Sequence, residues 1–182
     1  MKRKPGRCWP GLKSEPWREP RVRADDHGVT MSSPLNSDLA AAQEVLLERV
    51  RASFERQGMM QHLGARLLRV EPGLCELALP YSDKVTQQQG GFHGGAIGAL
   101  ADIAGGYAAL TVAPEGMEVT TVEYKINFLN AFAGGQLRAI GRVVKAGRRV
   151  IITTAEVSHL HEGQSRDCAI MQQTLAPVSK TY

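Results

Sequence analysis

From Gly94 to Val112 the chain runs nineteen residues that are almost all apolar or small, with no proline and a single charge, Asp102. A segment of that length suits one helix of about five turns. A helix apolar on every side cannot face water, so a sheet or other helices must wrap it. The helical period sets Gly98, Ala99, Gly105 and Gly106 on the same face as Asp102, and places Ile97, Leu100, Ala104 and Tyr107 mostly elsewhere. Glycine inside a helix costs roughly 1 kcal/mol relative to alanine. Three around one carboxylate imply that something comes close to that acid. His93 stands at the mouth of the segment and Gly94 and Gly95 open it. The first N–H groups are then unpaired and uncovered, a ready partner for a negative or partly negative oxygen. Two readings follow: a carboxylate about two turns inside a helix whose open end polarises a carbonyl, or a tightly packed core helix whose acid bonds a neighbouring backbone.

The segments around this helix read as strands. Ala65 to Val70 and Leu74 to Leu79 alternate and are turned by Glu71-Pro72-Gly73; Val119 to Leu129, Gln136 to Lys145, Arg149 to His159 and Arg166 to Leu175 are separated by Ala133-Gly134-Gly135, Ala146-Gly147 and Glu162-Gly163. The spacing predicts β-β-α-β-β-β-β, with the last four strands as an antiparallel meander. Before them, Ser37 is a suitable N-cap, and Leu39, Leu46, Val50 and Phe54 form one apolar stripe ended by Gly58, an amphipathic helix laid on the body. The polar loop Tyr81 to Phe92, rich in Gln and Gly, is long for a compact domain, and long loops often carry function.

His93-Gly94-Gly95, then four residues, then Leu100-Ala101-Asp102, resembles the signature of the hotdog-fold acyl-CoA thioesterases of the phenylacetate-degradation (PaaI) type. The order of elements agrees from roughly Met59 to Val178. The resemblance implies an α+β hotdog fold, an antiparallel sheet wrapped around the central helix, with the helix from Ser37 as an addition. It also implies a homodimer paired edge to edge, or a dimer-of-dimers tetramer, with active sites between subunits and no cofactor. The substrate it implies is an acyl-CoA, cleaved to carboxylic acid and free CoA.

By the same resemblance Asp102 is the base or nucleophile and the Gly94 N–H the oxyanion donor. Apolar surroundings and a helix N-terminus act on such a carboxylate in opposite senses, and general-base and nucleophilic roles both remain open. His93 is read as orienting the loop or substrate. Gln87 stands where similar enzymes carry an Asn that holds the water or thioester; Gln88 or Gln89 could substitute, and a solvated polar loop is the plain alternative. Thr121, with Thr120 as its neighbour, matches a hydroxyl residue that assists the attacking water, although threonine is also an ordinary strand residue. Lys145, Arg148 and Arg149 flank Gly147 in a hairpin, suited either to CoA phosphates or to a solvated edge that discourages aggregation. His159 and His161 lack a third ligand at metal-like spacing, so exposure rather than a metal site is expected. The rivals are related hotdog hydratase or dehydratase chemistry and a non-catalytic acyl-CoA sensor.

Composition narrows the remaining classes. Residues 1–30 carry eight Lys/Arg against four Asp/Glu, whereas residues 31–182 carry fourteen of each, so the net charge of +4 belongs wholly to the start of the chain. The body gives no reason to expect nucleic acid. Residues 1–34 hold five prolines and no apolar periodicity and are read as a disordered basic tail, with a true start at Met31, or a tail that touches RNA or membrane, as alternatives. The domain proper is then 35–182. Cys8, Cys75 and Cys168 are odd in number and without metal-like spacing, which suits free thiols in a reducing cytoplasm. No apolar run reaches the length of a membrane span.

Overall fold

The computed structural model describes residues 34–181. The tail expected over 1–34 falls outside the described residues, along with Cys8 and Met31. Pro34 is the exception, because it opens the first helix. That helix, α1, spans Pro34–Phe54 and so starts before the expected Ser37 cap. Proline suits a first helical turn, where its missing N–H would have no partner anyway. The apolar stripe engages late: Leu39 is 68% exposed, Leu46 packs at the core margin, and Val50 and Phe54 are buried. Gly58 does more than end α1. It begins a second short helix, α2 (Gly58–Leu63), which closes on Gly64 at φ 78°, a conformation that favours glycine.

The long apolar segment forms α3 (Gly94–Leu110), and six strands surround it: β1 (Arg66–Glu71), β2 (Leu74–Pro80), β3 (Met117–Phe128), β4 (Gln136–Ala146), β5 (Ile151–His161) and β6 (Gln164–Ser179). All pair antiparallel in the order β1-β2-β4-β5-β6-β3. The expected meander therefore holds for β4, β5 and β6 and fails for β3, which crosses to the far edge and pairs with β6. The crossover brings strands to both flanks of α3, which touches β2, β3, β4, β5 and β6, as a helix apolar all round requires. This is the hotdog arrangement, α+β, with α1 and α2 as additions before it.

Close packing explains the small residues. A Cβ added at Gly141 on β4 would stand 2.1 Å from the Ala104 carbonyl oxygen, so helix and sheet backbones meet without a side chain between them. Ala101, Ala104, Ala108 and Ala109 are fully buried, and Leu100 and Leu110 nearly so; each such leucine contributes roughly 1.5–3 kcal/mol. Cys75 and Cys168 are buried free thiols. Burial, with a smaller push from Glu76, raises the Cys75 thiol to about 12, and burial raises Cys168 to about 11, which leaves neither as a nucleophile. No helix among the described residues is long and apolar enough to cross a membrane.

Candidate active site

Asp102 lies at the middle of α3, two turns in from its N-terminus, and is partly buried. Its Oδ1 accepts from the Thr121 hydroxyl at 2.8 Å and from the Gln173 amide Nε2 at 3.0 Å. That same Nε2 reaches the Asp102 main-chain oxygen at 3.3 Å. Because both partners of Nε2 only accept, the Gln173 amide has one sensible orientation. Thr121 is turned toward the acid next to a break in the β3–β6 register, where Val122 has no partner between Thr121↔Leu175 and Glu123↔Thr174. Such a bulge re-aims side chains at the edge of a sheet.

The glycines of α3 divide by what they let in. At Gly105 a Cβ would stand 2.1 Å from Gln173 Oε1 and 2.8 Å from Thr153 Oγ1, so the missing side chain admits Gln173 to the acid. At Gly98 and Gly106 the nearest atoms are ordinary contacts, the Tyr124 hydroxyl at 3.9 Å and Leu175 Cδ2 at 3.8 Å. Asp102, Thr121 and Gly106 line a cavity of about 300 Å³ that follows α3 to Tyr107 and Leu110. Its far end is polar: the Tyr107 hydroxyl accepts from Gln57 Nε2 at 2.8 Å and donates to Ser53 Oγ at 3.2 Å. Burial holds the Tyr107 phenol above its usual range against these two hydrogen bonds, so it stays neutral.

The other end of α3 is built differently. His93 is the N-cap, exposed, with Nδ1 accepting the Gly95 N–H at 2.8 Å. The ring nitrogen facing the helix therefore carries no proton, and His93 acts here as a cap. The Gly94 N–H has no hydrogen-bond partner among the described residues, and the Phe128 ring lies 3.3 Å from where a Cβ of Gly94 would be. Gly94 shares an open depression with Gln87, Phe92, Ile97 and Phe128. Gln87 folds back so that its Oε1 accepts the Gln89 N–H; Gln88 and Gln89 are exposed.

Of the residues singled out in the sequence, the fold joins Asp102 to Thr121 and sets Gln87 beside Gly94, in two separate cavities of the one chain. Thr120, by contrast, is exposed. Lys145, Arg148 and Arg149 are exposed on the β4–β5 hairpin and line neither cavity. The expected exposure of His159 is wrong, although that of His161 holds. His159 is 6% exposed because the inward alternation of Ile151, Ala155 and Val157 continues through it. Its ring stacks on Phe132 at 4.3 Å, and its Nε2 lies 3.0 Å from the Gly134 carbonyl oxygen. Gln173 was missed. Its one signal is a polar residue at an inward position of β6, between Met171 and Leu175.

Comparison with known proteins fits this geometry. The Thioesterase superfamily model matches residues 89–165, a span that contains His93, Gly94, Asp102 and Thr121. The proofreading thioesterase EntH of Klebsiella pneumoniae is 32% identical over 111 residues, covering 61% of this chain and 80% of that protein. A thioesterase family protein from Silicibacter pomeroyi is 39% identical in its crystal structure, with a TM-score of 0.72 over 74% of this chain and 99% of its own. The PaaI protein of the Escherichia coli phenylacetic acid degradation operon shares the fold at 20% identity, with a TM-score of 0.68 over 77% of this chain and 98% of its own. The activity these matches support is thioester hydrolysis, and the chain belongs to the thioesterase superfamily.

Proposed function

We propose that the chain hydrolyses acyl-CoA thioesters, acyl or aryl, to carboxylic acid and free CoA, at a site shared between two copies. Asp102 of one copy activates water or attacks directly, and the Gly94 N–H of the other receives the developing oxyanion. One observation carries this reading: the acid and the bare amide sit on one helix, eight residues apart. At 1.5 Å per residue that is about 12 Å. A carbonyl needs its oxygen about 3 Å from the donor and its carbon about 3–3.5 Å from the attacking atom. For direct attack one chain cannot supply both to the same carbonyl, and the two groups open into separate cavities.

A second copy can. The edge strand β3 carries Thr121 beside Asp102 toward one end and Phe128 over Gly94 at the other. Antiparallel pairing of two β3 edges sets each Thr121 end against the partner's Phe128 end. Val122, Tyr124 and Phe128 are 60%, 46% and 53% exposed along that edge, three large apolar side chains on an unpaired strand of the kind that calls for a partner. In this reading Thr121 steadies the acid or its water, Gln87 and His93 shape the loop that presents Gly94, and the cations at Lys145, Arg148 and Arg149 meet the CoA phosphates of a bound substrate. Confinement to the cytoplasm and the dimer-of-dimers belong to the same reading.

The test is a mixing experiment read by release of thiol from a panel of acyl-CoAs. Asp102→Asn and Gly94→Pro are each expected to be inactive. Proline keeps the first helical turn and removes the N–H, and Gly94→Ala, which brings the same Cβ to 3.3 Å from Phe128 and keeps the N–H, is the control. Mixed dimers of the two variants contain one intact site, so activity returns on subunit exchange. Mixtures that stay inactive although exchange has occurred sink the shared site, and binding of acyl-CoA by the parent chain without thiol release sinks the reading as an enzyme.

A further inference from the structure

Two polar atoms at the centre of the domain have no partner. Gln173 Oε1 and Thr153 Oγ1 are unpaired among the described residues, on side chains that are both 0% exposed. They face each other across the β5–β6 pair in register, where opposing Cβ atoms stand about 5 Å apart, and both approach the bare Cα of Gly105. A fully buried glutamine that leaves one atom unsatisfied is costly to keep. What it does with its other atom is hold Asp102, through the carboxylate and the main-chain oxygen of the same residue.

We propose that Gln173 is a positioning residue for thioester hydrolysis: its amide holds the Asp102 carboxylate aimed into the cavity. Gripping the main-chain oxygen as well as the carboxylate fixes the turn of helix from which the acid projects. The contact on the opposite side is the Thr121 hydroxyl, so Oδ1 is held from β3 and β6 together. The other ionisable groups lining the cavity are Glu118 and Tyr107; Glu118 has Lys180 at 4.0 Å. All three remain in the variants below and cannot produce a difference between them. The inference rests on the reading of Asp102 as the reacting acid.

Gln173→Met keeps the volume, removes the unpaired oxygen and suits a site next to Met171 and Leu175, so its melting temperature should equal or exceed that of the parent. Its kcat is expected to fall about 100-fold, the scale of a slightly misplaced group. The KM should change little, so that the loss falls on kcat. Thr153→Val, which removes a hydroxyl that bonds nothing among the described residues, should leave kcat and KM at the parent values. A crystal structure of Gln173→Met needs no turnover: if the amide aims the acid, the Asp102 carboxylate leaves its place beside Thr121. A carboxylate that stays in that place, or an activity loss that tracks a lowered melting temperature, overturns the inference. If the parent cleaves no thioester, the functional reading fails by itself while the crystal structure still decides the role of Gln173.

Discussion

The two halves of α3 are made from the same residues, glycine and alanine, and do opposite things with them. At the N-terminal end, Gly94 leaves its N–H uncovered beside the capped N–H of Gly95, and the helix meets solvent and the Phe128 ring. Past the middle, Gly105 is bare because a side chain from the sheet needs the space. Absence of a side chain therefore signals exposure of an N–H at one end and close packing at the other, and sequence spacing does not separate the two.

The largest effect should come from the inner half. Asp102→Asn keeps the shape and is expected to lower kcat by about 1,000-fold or more, as loss of a reacting acid does, with the fold intact by circular dichroism. At the open end, Gly94→Pro should cost about 100- to 1,000-fold with little change in melting temperature; an equal loss of stability would mean that the N–H is structural. A paired test sharpens the contrast between glycines. Gly105→Ala drives a methyl into Gln173 and Thr153 and should destabilise by about 1–3 kcal/mol. Gly98→Ala meets only the Tyr124 hydroxyl at 3.9 Å and should stabilise by up to about 1 kcal/mol; chemical denaturation reads both, and similar values would erase the distinction. The smallest effect is reserved for the hairpin. Replacing Lys145, Arg148 and Arg149 by alanine should raise KM for acyl-CoA several-fold at unchanged kcat, and added salt should weaken the parent in the same way.

How far each feature could be read in advance depended on how local its cause is. The length of α3, the β1–β2 turn at Pro72-Gly73 and the strands up to their ends follow from near-neighbour patterns. The place of β3 does not, because a glycine turn at Gly134-Gly135 marks the end of a loop without saying which strand waits beyond it; pairing with β6 is fixed by the need to enclose α3. Asp102 was visible as the one charge in an apolar helix, and Thr121 as a hydroxyl at the start of the next strand. Gln173 and the burial of His159 required the parity of β6 and β5: in β6 an unpaired Cys168, between Asp167↔Ser158 and Ala169↔Val157, breaks it, and in β5 a polar residue closes an otherwise regular alternation. Leu39 was assigned inward from periodicity alone, although α1 begins two turns before it reaches the body.

Mounting the acid and the amide on one stiff rod has a consequence for a pair of copies. In the proposed shared site each rod serves both reaction centres, lending its acid to one and its amide to the other. Sliding or tilting a single α3 disturbs the two together, so neither centre can be retuned without its twin feeling the change.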